Sequence, residues 1–467
     1  IREGRLRPSE RRMRMMSNLP YPGSCLFLCA ALAIGCGKVT TYADGSVDVD
    51  AADHDGTVTT VDAAPDAPTR GEVTVHVLSQ QGDGLPLAGA IVLFFESDGT
   101  EAGRATTGGD GTATAEVGQG AYVTVVVLES ATSARLVTVV DVAPLDEITV
   151  GRAAYGYYSA QTATMTITVP AYGPATGYGV NGDCMYGYTP APPAPMTSYI
   201  YEGCPTTTDA IAEAYFTGGS VYLVANNVTI CGTYNFGGSW SYPQQFTASL
   251  THVPDEIGSI NLTREVISGV NSIYQNYTYL ENPPITTALT TPYPGTVGDA
   301  TIIRTNFYQA GTLGVQQHIN KVAGSAASFG YDLGDALIPW WTQEPVIDGP
   351  NVTWTTIGGG APDAIVLDLG AYENVTPNRS AAWQVVLPPD RTSFTLPPLP
   401  DDLAALWLSG TGINYYTEGA MIETDFYPGY AAARVDLASQ IENYRYRYQR
   451  VLSQPSGHLY LSESAVE

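Results

Sequence analysis

Alternation of apolar and polar positions dominates this chain. From Glu72, EVTVHVLS alternates; AGAIVLFFES (88–97), AYVTVVVLES (121–130) and RLVTVVDV (135–142) follow as short apolar runs. Turn signals fall between them at Asp98-Gly99 and Gly109-Asp110-Gly111. Short strands punctuated in this way predict a β-sandwich over 71–151. A second β module is expected over 152–255, from TATMTITVP, GSVYLVANNVTICG and QFTASLTHV. Within it TTTDAIAEAY (206–215) is read as one short helix with Thr208 or Asp209 near its cap. A less sharply bounded β-rich region spans 256–349, with REVISGVNSIYQNY (264–277) read as helical and ATIIRTNFY, LGVQQHINKV and ASFGYDL as strands. Alternation returns over 350–467, in NVTWTTI, DAIVLDLGAY, AAWQVVLP and TSFTLPPLP. The tail ENYRYRYQRV (442–451) alternates tyrosine with arginine, so it is read as a strand with buried tyrosines and a solvated basic face. An anion-binding stripe is the other reading of the same pattern. The fold class expected is all-β, a tandem of β-sandwiches.

The N-terminal segment breaks this pattern. Cys25–Gly35 is an apolar run too short to cross a bilayer as a helix, and Arg11, Arg12 and Arg14 precede it. Those are the charged and apolar parts of a secretory signal, expected over 1–35, with Met13, Met15 or Met16 as alternative starts. Its end, LAIGC (32–36), resembles the lipobox of bacterial lipoproteins. Ala33 stands where that family usually has Leu, with Leu32 one place further out. The resemblance implies cleavage before Cys36 and a lipidated Cys36 at the mature N-terminus. Residues 37–70 are rich in Asp and Ala without apolar periodicity, so a disordered acidic tether is expected over 36–70. The expected location is the cell envelope, with the membrane reached through the lipid. Gly37 after the cysteine, by resemblance to enteric sorting, favours the outer membrane.

Two further resemblances concern the body. LPLAGAIVLF and TTGGDGTATAEVGQGAYVTVVV resemble carboxypeptidase regulatory-like modules, relatives of Cna B-type and transthyretin-like sandwiches. The match runs through Pro86, Leu87, Gly89, Ala90 and Val92, then Gly109-Asp110-Gly111 and Gly120-Ala121-Tyr122. It implies a spacer without catalytic residues. The internal Lys–Asn bond of some relatives is excluded, because 71–151 contains no Lys. The two Trp-bearing strands near the C-terminus resemble a fibronectin type III-like sandwich.

A net charge of −26 repels phosphate backbones, so nucleic acid is not an expected partner. Once Cys25 and Cys29 leave with the signal and Cys36 is lipidated, Cys184, Cys204 and Cys231 remain. Three thiols allow one bridge; the Pro-rich hairpin between Cys184 and Cys204 favours that pair, with Cys231 packing as a small hydrophobe. No metal or cofactor is expected. The histidines are scattered, and HVPDE (252–256) departs from a zinc H-x-x-E spacing. GYGVNG (177–182) spells GxGxxG without a following helix. No catalytic motif is present, so no enzymatic activity is expected, and the leading expectation is a structural, adhesive or ligand-presenting envelope protein with envelope proteins or polysaccharide as partners.

Two alternatives remain open. A glycosidase needs only two facing carboxylates, and Asp332/Asp335, Asp363/Asp368 and Glu423/Asp425 are candidate pairs. Carbohydrate binding draws on Trp340 and Trp341 and on the Tyr-rich stretches 155–158, 415–416 and 427–430 as flat platforms. Adjacent Trp residues equally place one ring in a core and one at its rim.

Overall fold

The structure is a computed structural model in which the described residues are 69–79, 84–152, 161–201, 204–269, 271–309, 311–334, 337–373, 378–410, 412–446 and 457–464. The expected signal, Cys36 and the tether up to residue 68 lie outside them. Among the described residues the protein is all-β apart from the α-helix Tyr430–Tyr446 and the 3-10 turn Ala404–Leu406, with its sheets packed face to face as in β-sandwiches.

The first strands are β1 (Arg70–Val77), β2 (Ile91–Phe95), β3 (Glu101–Thr106), β4 (Thr112–Gly118), β5 (Ala121–Ser130), β6 (Ser133–Val142) and β7 (Glu147–Val150). Alternation in β1 turns Val73, Val75 and Val77 inward, where they meet Val123, Val125 and Val139 of the facing sheet. β-Branched side chains fit such a half-buried pleat.

A second sandwich contains β8 (Gln161–Thr168), β9 (Gly177–Gly182), β10 (Met185–Pro190), β11 (Met196–Tyr201), β12 (Thr207–Phe216), β13 (Gly219–Thr229) and β14 (Gly232–Asn235). Sheets β10-β9-β12-β13 and β11-β8-β14 enclose Met165, Ile167, Val180, Met185, Met196 and Leu223. A disulfide joins Cys184 to Cys204, as expected, and ties the start of β10 to the residues after β11. Closing a loop of that length stabilises by about 3 kcal/mol.

Two expectations fail in this sandwich. The helix expected over 206–215 is β12: Ala210, Ala212 and Ala214 face the sandwich core, and Ile211 is buried in the neighbouring core. Pairing on both edges with β9 and β13 overrides the helix propensity of alanine. Cys231 is exposed and free rather than buried. Alternation continues past the end of β13, so Ile230 turns inward and Cys231 outward.

The next strands are β15 (Gln244–Thr251), β16 (Ile257–Ser268), β17 (Asn271–Glu281), β18 (Thr287–Tyr293), β19 (Ala300–Gln309), β20 (Val315–Ala323) and β21 (Ser328–Asp332). The helix expected over 264–277 is instead the β16–β17 hairpin, turning at Gly269 with φ +59°. A positive φ there suits glycine and ends any helical run. β16 buries both faces near its end, carrying Arg264 and Glu265 with no exposure. Glu265 accepts from Arg304 Nη2 at 2.7 Å, and Arg264 lies 4.3 Å over the Tyr293 ring centre. Burial pulls both arginines down to about 10.

The last elements are β22 (Trp340–Asp348), β23 (Asn351–Ile357), β24 (Ala364–Glu373), β25 (Arg379–Leu387), β26 (Ser393–Thr395), β27 (Ile413–Thr424), α1 (Tyr430–Tyr446) and β28 (Gly457–Glu463). Twelve strands join in one sheet, in the order β17-β16-β19-β20-β28-β27-β24-β25-β6-β5-β2-β3. The β25–β6 contact is parallel; its other contacts are antiparallel. One face packs on β4-β1-β7 and α1, the other on β22-β23-β26. The β16–β19 end is covered by β18-β15-β21.

The strand expected at the tail is corrected by α1, which runs through Tyr444, Arg445 and Tyr446; residues 447–451 lie outside the described set. The helix is fixed from its N-terminal half: Tyr430 donates to Val140 O at 2.6 Å, and Arg434 Nε meets Asp146 at 2.8 Å.

Candidate functional site

Trp340 and Trp341 open β22, where alternation sends adjacent rings to opposite sides. Trp341 is fully buried in the core between β22-β23-β26 and the long sheet, and its indole N–H donates to Ser462 O at 2.8 Å. Trp340 is 5% exposed and packs into the core beneath β15. Its remaining surface lines a cleft of about 500 Å³ beside Glu256, Gln309 and the glycines 358–360. Neither ring presents an open stacking face.

An open aromatic groove of about 440 Å³ lies elsewhere on the same half of the molecule. Trp383 of β25 forms its floor, Trp407 and Tyr415 its walls, and Pro350, Pro397 and Pro398 its rim. Trp407 meets Trp383 edge-on at 5.3 Å between centroids and Tyr415 at 6.4 Å. Tyr415 is 40% exposed. None of the lining residues carries a charge; Ser409 and the backbone at Gly349 and Gly410 supply polar groups. A concave, aromatic site with few polar groups is the general form of a small-ligand pocket.

The groove is preformed by its local chemistry. Prolines 397, 398 and 400 hold the segment after β26 extended, and the 3-10 turn Ala404–Leu406 then brings Trp407 back over β25. Three ties hold this strap: a two-pronged Arg104–Asp402 pair (2.8 and 3.0 Å), Arg379 to Ala405 O (2.6 Å) and the Tyr415 hydroxyl to Leu408 O (3.2 Å). Asp402 holds the Arg104 guanidinium above its ordinary pKa, chiefly through the hydrogen bond. The sequence singled out Tyr415 but not Trp407; the signal was PPLP followed seven residues later by a Trp, a rigid strap ending in a large ring.

The remaining sequence candidates are engaged in other ways. Asp363 accepts from Thr424 N and Asp368 from the Gln384 side chain. Glu423 and Asp425 flank His458 at 3.7 and 3.2 Å, and the hydrogen bond with Glu423 raises the histidine's pKa. Asp332 bonds His252 and Gly334 N; its partner Asp335 lies outside the described residues, as do Tyr155, Tyr157 and Tyr158. Tyr427 and Tyr430 are half-buried against α1 and the long sheet. Among the described residues, no cluster of three His, Cys, Asp or Glu side chains is placed to hold a metal ion. No described helix is long and apolar enough to cross a membrane.

No protein-family model and no curated protein matches this chain. Among solved structures it is similar to the Bacillus anthracis TIE protein, at 10% identity and a TM-score of 0.14, over 57% of this chain and 50% of that one. The match thus spans half the length of that protein. Two B repeat units of the collagen binding protein Cna of Staphylococcus aureus match at 10% identity and TM-score 0.12, over 79% of this chain and 97% of that one. A Bacteroides ovatus protein, SGBP-B of a mixed-linkage glucan utilization locus, solved with a mixed-linkage heptasaccharide, matches at 12% identity and TM-score 0.10, over 73% and 91%. None of these likenesses amounts to a shared overall fold.

Proposed function

We propose that this chain is a non-catalytic, lipid-anchored protein of the cell envelope that binds a neutral carbohydrate in the groove between Trp407 and Tyr415. The observation that carries the reading is the groove itself, with three aromatic rings, polar groups at its edge and no charge in its lining. The apolar faces of a sugar ring stack on such rings, while its hydroxyls meet Ser409 and backbone groups. A site without basic residues, on a chain of net charge −26, disfavours acidic glycans. The anchor rests on LAIGC and on the acidic segment that follows it.

Affinity electrophoresis through gels containing neutral polysaccharides tests the groove. Trp407→Ala is expected to weaken binding by about 2 kcal/mol, as central aromatic contacts do, or roughly thirty-fold in Kd. Unchanged migration of the variant contradicts the assignment. Cys36→Ser tests the anchor by fractionation: the variant is expected in the soluble fraction, and unchanged membrane association removes lipidation from the account. A structural and adhesive role is the second reading, favoured by the length of the continuous twelve-stranded sheet.

A further inference from the structure

GYGVNG, the glycine-rich stretch whose spacing resembles a nucleotide-binding turn, is strand β9, and its glycines serve a different purpose. Tyr178 and Val180 face the sandwich core, so Gly177 and Gly179 face outward. The Tyr188 ring of β10 lies across Gly177: a Cβ there would stand 2.7 Å from the Tyr188 hydroxyl and 3.2 Å from its Cζ. The Tyr215 ring of β12 lies across Gly179 in the same manner, with its hydroxyl 2.7 Å and Cε2 3.3 Å from the Cβ position. A floor without side chains lets two phenol rings settle on the sheet from opposite sides. Tyr186, next outward residue on β10, extends the row; Tyr186 is 69% and Tyr188 60% exposed.

Charge narrows what this face can hold. Between Arg152 and His252 the sequence contains no Lys, Arg or His, and Glu213 on β12, paired with Gly179, is the carboxylate beside the rings. Glu213 accepts from Tyr222 at 3.1 Å. An anionic glycan, a nucleic acid or a phosphate headgroup finds no counter-charge here. The surface offers flat aromatic area, phenol hydroxyls that donate and accept, and one carboxylate acceptor.

We propose that the outer face of β10-β9-β12, formed by Tyr186, Tyr188 and Tyr215 over Gly177 and Gly179, is a second binding surface whose occupant is a neutral polysaccharide chain. The proposal extends the carbohydrate reading of the Trp407 groove to a separate surface, and the two are separable by mutation.

The test is affinity electrophoresis of the full protein in gels containing β-glucan, galactomannan or amylopectin, with alginate and polygalacturonate as acidic counterparts. The wild type is expected to be retarded by at least one neutral polymer and by neither acidic one. Tyr186→Ala/Tyr188→Ala removes exposed rings and is expected to weaken that retardation about tenfold, the scale of losing stacked aromatic contacts. Gly177→Val is expected to weaken it as well, by lifting the Tyr188 ring while leaving the phenol in place. Trp407→Ala should leave the tyrosine-dependent part of the retardation intact. Loss of binding in Trp407→Ala alone, with the tyrosine variant unchanged, overturns this proposal and keeps the groove. Loss in the tyrosine variant alone keeps this surface and overturns the groove. Retardation by the acidic polymers only, or by none, overturns both.

Discussion

Replacing Arg304 with Met is expected to destabilise the protein by about 3–5 kcal/mol, because it takes a charged hydrogen-bond donor from a buried carboxylate. Glu265 has no solvent exposure and its Oε1 receives Arg304 Nη2 at 2.7 Å, between neighbouring strands β16 and β19 of the long sheet. In water the two charges would attract weakly; out of water each depends on the other, and each was costly to bury. Burial is the dominant influence on Arg304, pulling it down to about 10 despite the carboxylate. Removing both charges together, in Glu265→Leu/Arg304→Met, should therefore recover most of the loss, since similar apolar replacements are often neutral or stabilising. Urea denaturation of the two variants checks this. A single variant as stable as the wild type, or a double variant worse than the single, contradicts it.

Trp341→Ala is expected to cost a similar amount, about 3–5 kcal/mol for a fully buried Trp. Its ring fills the space over Gly419 of β27 so closely that a methyl group on that glycine would overlap the ring. Its N–H satisfies the carbonyl of Ser462 on β28. One side chain thereby pins β22 to both β27 and β28, and the loss includes a buried hydrogen bond. Gly419→Ala should itself cost about 1–3 kcal/mol by overpacking, and that cost should largely vanish in the Trp341→Ala background. A double-mutant cycle reads this coupling. Independent, additive effects would show that the ring does not depend on the glycine.

Which faces are buried was legible in the sequence; which strands are partners was not. Alternation in EVTVHV placed Val73, Val75 and Val77 inward without error, because a period of two is a local property. The parallel contact of β6 with β25 joins residues some 250 positions apart, Ser133 with Ser380, and no local pattern encodes it. The two expected helices failed for a shared reason. Alanine-rich TTTDAIAEAY and the mixed run REVISGVNSIYQNY have weak local preferences, and the edges of β9, β13 and β19 supplied hydrogen bonds that decided them. Asn227, at φ +56°, lies within the run that ends at Cys231, and there the outward positions Asn226 and Asn227 fall side by side. A simple apolar run up to Cys231 therefore gave the wrong face for the thiol.

The proposed binding surfaces divide along the same line. Cys184 and Cys204 were readable from spacing, and Tyr415 from its place in a Tyr pair. Trp340 and Trp341 were drawn to attention by being adjacent, yet two consecutive rings on a strand covered on both sides are both taken into cores. Trp407 was missed because the strap that carries it is held by a residue distant in sequence, Arg104 of β3 paired with Asp402. Tyr186 and Tyr188 carried a readable signal, tyrosine at every second position, with Tyr188 opposite Gly179, in a stretch empty of basic residues.

The proposed carbohydrate binding rests on an uncharged aromatic groove. The most direct measurement is a glycan array probed with the purified wild type and with Trp407→Ala side by side. The expected result is selective binding to neutral glycans by the wild type and a weakened neutral-glycan signal in the variant, with the part carried by Tyr186 and Tyr188 retained. Absence of any neutral glycan signal, or an identical profile for the two proteins, would contradict it.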